Sequence, residues 1–163
     1  VDLARVRAVR DWEMATVGCP LMDLGTSLGY WIDPDDPPAH RALPLGPTLL
    51  PGNLTRAEVV ARYERSRGRS AGDPLYYCVY GLFKVAVIAQ QIYARWKKGL
   101  TKDERFGAMI QAVRALGGSA ARAIERGRID RLGDLASNSA SARGLNSHPR
   151  LLNLARAPQS GLM

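Results

Sequence analysis

A mostly α-helical chain with one short N-terminal β-strand is what the sequence predicts, and three observations predict it. Helix-starting signals recur at Thr55-Arg-Ala-Glu58, Asp73-Pro74 and Thr101-Lys-Asp-Glu104. The longest apolar stretch, Leu75 to Tyr93, carries its apolar residues at helical spacing. Alternation with β-branched residues is confined to residues 5–12, at Val6 and Val9. With 163 residues, 46% of them hydrophobic, the chain is long enough to bury a core without staples.

Taken in order, residues 5–12 read as a strand running into Asp11. From Met14 to Trp31 the pattern becomes helical in its second half, where Leu21, Leu24, Leu28 and Trp31 follow Pro20 at helical spacing. Asp33 to Gly52 holds Pro34, Pro37, Pro38, Pro44, Pro47 and Pro51 and reads as a long loop. Thr55 and Glu58 form a capping box, which opens a helix to about Arg67, stopped by Gly68. This role also accounts for Thr55 within the sequon-like Asn53-Leu-Thr55. Asp73-Pro74 opens the longest helix, which closes at Lys97-Lys98-Gly99 with cations at its negative end. In it Val85, Ile88, Ile92 and Trp96 recur at helical spacing and are expected to face the core, with Lys84 reaching solvent or a carboxylate. Thr101–Glu104 repeats the box logic and starts a helix to about Leu116. Gly117-Gly118 is expected to interrupt it before a short final helix, Ser119–Arg126. Residues 137–163, beginning Ser-Asn-Ser-Ala-Ser-Ala, read as a low-complexity, disordered tail. The chain starts at Val1, which suggests a piece of a longer protein.

Composition narrows the function. The net charge of +8 invites a nucleic-acid reading. However, its arginines are scattered, and Arg143, Arg150 and Arg156 follow the last acid, Asp134, leaving an excess of +5 before that point. Nucleic acid is therefore not the expected partner. Residues 75–93 are long enough to span a bilayer. Lys84 at their centre would cost about 2.5–3.5 kcal/mol there, so a buried helix is expected and not a membrane span. Cys19 and Cys78 form no paired motif, so a cytoplasmic setting is the default. No Walker loop, G-x-G-x-x-G, G-x-S-x-G or H-E-x-x-H is present, and the histidines, His40 and His148, lie in the Pro-rich loop and the tail. A histidine-based triad is not expected.

The acids that remain are Asp11-Trp12-Glu13, Asp23 and Asp33. A carboxylate at a strand end, with a second two residues on, suits a hard divalent cation such as Mg²⁺. The same residues also suit exposed turn positions paired with arginines. Asp11-Trp-Glu-Met-Ala-Thr-Val-Gly-Cys-Pro-Leu-Met-Asp-Leu24 resembles the metal-site segment of the aminoglycoside phosphotransferase/choline kinase-like family, above all the branch that also occurs fused to acyl-CoA dehydrogenases. Tyr30-Trp31, Pro51–Glu58, Arg62-Tyr63, Leu82–Ala86, Gln91–Arg95 and Asp103–Phe106 agree with it, so the resemblance covers about residues 5–126.

The resemblance implies a protein-kinase-like fold, with residues 1–136 forming part of its helical C-terminal lobe. It implies transfer of the ATP γ-phosphate to a hydroxyl of a small molecule. Asp11 would be the metal ligand that bridges Mg²⁺ to the phosphates, Glu13 an assisting ligand, and Asp23 a structural support of the catalytic loop. Two positions depart from the pattern: Cys19 stands where the family has Asp before Pro, and Arg10 where the strand is apolar. The family's His-Gly-Asp loop and ATP-binding lobe are not in these 163 residues, so no catalytic base is assigned and the isolated chain is expected to be inactive. The competing expectation is a non-catalytic helical interaction module derived from such a fold.

Overall fold

A computed structural model of the chain describes residues 17–133, together with Ala8 and Ala15. The expected strand at 5–12, the acids Asp11 and Glu13, and the tail 137–163 lie outside the described residues. Within them the protein is mostly helical and contains no strand. The order is α1 (Pro20–Tyr30), the single turn α2 (Pro38–Arg41), α3 (Arg56–Arg67), α4 (Pro74–Lys97), a 3₁₀ segment (Glu104–Ala108) and α5 (Met109–Arg126).

The starts of α3 and α4 follow the local signals. The Thr55 hydroxyl accepts from the Glu58 backbone N–H, while the Glu58 carboxylate accepts from the Thr55 N–H at 2.7 Å. Asp73 accepts from the Tyr76 N–H at 3.1 Å, and Pro74 occupies the tolerated first turn. Gly68 ends α3 in the left-handed conformation that glycine adopts without steric cost.

The C-terminal half differs from expectation twice. Thr101 does not cap a helix; Asp103 does, accepting from the Arg105 N–H and gripping the Arg105 guanidinium, and the turn it opens is 3₁₀. Gly117-Gly118 does not break the helix either. The stripe Ala112, Ala115, Leu116, Ser119 and Ala123 is buried without interruption, and this packing outweighs a glycine penalty of about 1 kcal/mol per residue. The stop comes at Gly127, which is left-handed.

α4 is the central element and packs on both α1 and α5. By length and composition it is also the one helix among the described residues that could cross a membrane. Its contact with α1 is made backbone to backbone. A Cβ on Gly81 would lie 1.8 Å from the Gly25 carbonyl oxygen, and one on Gly29 would lie 2.4 Å from the Gly81 carbonyl carbon. The core then gathers Leu24, Leu28, Val60, Cys78, Leu82, Val85 and Leu116. The inward face of α4 therefore runs through Cys78, Gly81, Leu82, Val85 and Ala89. Val85 meets expectation, but Ile88 does not: it is 37% exposed, because the glycine contact rotates the helix toward Gly81 and Leu82. Lys84 reaches the surface and donates to the Thr26 hydroxyl at 3.3 Å.

Candidate functional site

The N-terminal end of α1 is where the sequence places chemistry, and the structure places three groups there. Cys19 precedes the helix in an extended conformation and supplies no side-chain cap. Its Sγ lies 3.9 Å from the Tyr77 hydroxyl at the start of α4. The Leu21 backbone N–H holds the Cys19 thiol below its ordinary range, with the Tyr77 hydroxyl adding to the effect. Asp23 lies in the first turn, exposed, where the positive end of the helix dipole favours a carboxylate. Ser27 donates to the Asp23 carbonyl and Thr26 to that of Met22, so the helix is tied to itself at this end. Among the described residues no group of three or more His, Cys, Asp or Glu is placed to hold a metal ion. The expected Mg²⁺ ligands, Asp11 and Glu13, lie outside the described residues, and Asp23 is expected only to support the site.

Sequence reasoning missed the main buried polar cluster among the described residues. Arg56, the first residue of α3, is fully buried. Its guanidinium donates through Nη1 to Asp36 Oδ1 at 2.8 Å and through Nη2 to Asp36 Oδ2 at 2.5 Å. It also donates to three backbone carbonyls, Leu28, Trp31 and Ile129, at 2.7–3.3 Å. Asp33 accepts from the Arg56 backbone N–H at 3.0 Å and so caps α3 from outside the capping box. Burial works against the Arg56 charge, but the hydrogen bonds and charge of Asp36 outweigh it and raise its pKa. Burial pushes the Asp33 carboxyl up to about 6.

His40 and Ser119 adjoin this cluster. His40 Nδ1 lies 2.9 Å from the Ser119 hydroxyl and 3.7 Å from Asp36 Oδ2, while Nε2 has no partner. Ser, His and Asp are thus brought together, but not as a catalytic triad. One ring nitrogen faces both partners, where a triad places serine and carboxylate on opposite nitrogens. All three side chains are also buried, out of reach of a substrate. Desolvation lowers the His40 pKa to about 4, so it stands neutral. The pair acts as a bolt between α2 and α5. The composition Asp-Pro-Asp-Asp-Pro-Pro at 33–38 was the available signal, since paired acids in a proline-rich stretch call for a cationic partner.

Beside that bolt runs a cleft of about 1210 Å³ between the α2 segment and α5, open along one side. Leu43, Phe106 and Met109 contribute apolar surface to it. Arg105, Arg114 and Arg122 supply its charges, and none of the residues lining it is acidic. This cleft shares no lining residue with the α1 N-terminus.

Comparison with known proteins places a relative beside most of this structure. The chain is 32% identical over 121 residues to acyl-CoA dehydrogenase family member 11 from Gallus gallus, 69% of the chain and 15% of that protein. The counterparts of the same name from Rattus norvegicus and Homo sapiens are 34% and 33% identical over 103 residues, 61% of the chain and 13% of each protein. The chain thus spans no more than about one-seventh of the length of these relatives. No family model matches it, and no solved structure matches it. What it is similar to is one short region of a much longer protein that carries a dehydrogenase name.

Proposed function

We propose that this chain is part of the C-terminal lobe of a kinase-like phosphotransferase that moves the γ-phosphate of ATP to a hydroxyl of a small molecule, working only when joined to its upstream lobe. One observation carries the reading. The segment Asp11–Leu24 resembles the phosphotransferase branch that occurs fused to acyl-CoA dehydrogenases, and the similar proteins bear that dehydrogenase name over a span far longer than this chain. The exposed Asp23 in the first turn of α1 is compatible with it. Asp11 and Glu13 would offer hard oxygen ligands to Mg²⁺, and the ion, when bound, neutralises charge on the phosphates. Asp23 would hold the neighbouring loop in place. The dehydrogenase chemistry of the relatives' name is not proposed for this region.

The test is an ATP-dependent phosphorylation assay on the chain joined to its upstream region, with and without Mg²⁺. Asp11→Asn should lower turnover about 100-fold or more, the scale of losing a charge-stabilising group at a transition state. The melting temperature should move by no more than about 2 °C. Glu13→Gln should cost less. Asp23→Asn should lower stability and turnover together. Undiminished turnover in Asp11→Asn overturns the assignment and favours a non-catalytic helical module.

A further inference from the structure

The cleft between α2 and α5 shares no lining residue with the α1 N-terminus. We propose that it is a docking groove for an acidic amphipathic helix of a partner protein. Apolar side chains of that helix would lodge against Leu43, Phe106 and Met109, and its carboxylates would meet Arg114 and Arg122.

Four observations support this occupant. The first is charge. Three arginines line the groove without a single acid among the lining residues. Arg105 is already engaged by Asp103 at 2.6 Å, which leaves Arg114 and Arg122 as the lining cations open to a partner's carboxylates. The second is shape. Ala108, at the N-cap, and Ala112, Ala115 and Gly118 of α5 follow one another along the groove, so a partner's side chains can sit close to the backbone. From Ala108 to Arg122 that stretch is roughly 21 Å long at 1.5 Å per residue. The third is how Arg122 lies: its Nη1 sits 3.3 Å from where a Cβ on Gly118 would be, so the bare glycine lets the guanidinium lie down over the groove. The fourth is size. A volume of about 1210 Å³, open along one side, exceeds the roughly 300–1,000 Å³ of enclosed small-molecule pockets.

A helix fits better than an extended peptide for a backbone reason. A strand docks by pairing with a sheet edge, and the described residues contain no strand. A helix satisfies its own backbone and needs only side-chain anchors and charge. The His40–Ser119 hydrogen bond holds the two walls at fixed separation, so the groove is preformed.

The test is selection of a displayed library of random 14-residue helical peptides on the whole 163-residue chain. Enriched sequences should combine two or more Asp or Glu with Leu, Ile or Phe at i, i+3 or i+4. Their affinity should drop at least tenfold for Gly118→Leu, which fills the groove, and for Arg122→Glu, which reverses its charge. Gly117→Leu is the control for folding and helix propensity: a Cβ there meets nothing within 4 Å, and binding should be unchanged. No enrichment, enrichment without acids, or equal binding by Gly118→Leu overturns the proposal. So does saturable binding of dodecanoate with no peptide enriched, which would make the groove a site for lipid-like anions.

Discussion

Replacing Arg56 with Met keeps an unbranched apolar stem and removes the guanidinium with its charge and donors. Asp33 and Asp36 are then left buried, 2% exposed each, with no cation between them. The carbonyls of Leu28, Trp31 and Ile129 each lose a donor. Breaking a buried pair by removing one partner costs about 3–5 kcal/mol, and the orphaned carbonyls favour the upper end. For a protein of this size that is a fall of roughly 6–20 °C in melting temperature. The charge explanation also predicts a pH dependence. Burial holds the Asp33 carboxyl up at about 6 even with Arg56 beside it, and losing the cation raises it further. The folded variant should therefore take up a proton that the unfolded chain does not, and the penalty should shrink from pH 8 to pH 5. One unit of extra shift corresponds to about 1.4 kcal/mol. Urea unfolding followed by circular dichroism at both pH values measures it, provided the slope with denaturant is unchanged. Adding Asp33→Asn and Asp36→Asn should restore more than half of the loss. A penalty below about 1 kcal/mol, or one equal at both pH values, would refute the reasoning.

Three further outcomes are expected. Gly81→Ala brings a methyl against the Gly25 backbone and should cost at least the roughly 1–3 kcal/mol of overpacking, since backbone cannot move aside as a side chain can; an unchanged melting temperature would contradict the close seam. Leu82→Ala, at a fully buried position, should cost about 2–5 kcal/mol, and Ile88→Ala clearly less, as read by chemical denaturation; the reverse order would mean that α4 is rotated. His40 and Asp33 should oppose each other in acid. His40, lowered to about 4, contributes stability that is present above pH 6.5 and lost as pH falls toward 4; Asp33, raised to about 6, contributes stability that is present below pH 4 and lost as pH rises through 6. The two contributions are each about 3 kcal/mol, so the native profile between pH 4 and 6.5 should be shallow. His40→Gln should gain on the native protein by about that amount between pH 7 and pH 4, and parallel thermal-melt profiles would sink the idea.

What could be read from the sequence was what is decided within a few residues. The Thr55–Glu58 box, the Asp73-Pro74 start and the Gly68 stop each depend on neighbours three or four positions away, and each appears where expected. The α1 stripe Leu24 and Leu28 is buried for the same reason. Gly117-Gly118 misled because glycine weakens a helix locally, whereas the packing of Ala115, Leu116 and Ser119 that sustains α5 is a property of the assembled fold. Ile88 misled because periodicity fixes which residues share a face but not which of two adjacent faces turns inward. That choice was made by Gly25 and Gly81, residues with no side chain to register in a hydrophobic pattern. The Arg56 cluster was hidden by distance along the chain: its partners stand 20 to 73 positions away, and an arginine among 23 cations carries no mark of burial. Of the expected metal site only Asp23 falls within the described residues, on the exposed first turn of α1.

The segment after α5 sets where a folded piece of this protein can be cut. Secondary structure alone would suggest stopping at Arg126, the last helical residue. Ile129, however, gives its carbonyl to Arg56, Leu132 is fully buried, and the Gly133 N–H donates to the Asp35 carbonyl at 2.6 Å. Gly133 is also irreplaceable in kind, since a Cβ there would lie 2.7 Å from that same oxygen. A recombinant boundary drawn at the helix end would strip an acceptor from a buried cation and remove a fully buried leucine. Seven more residues, none of them helical, belong to the folded unit.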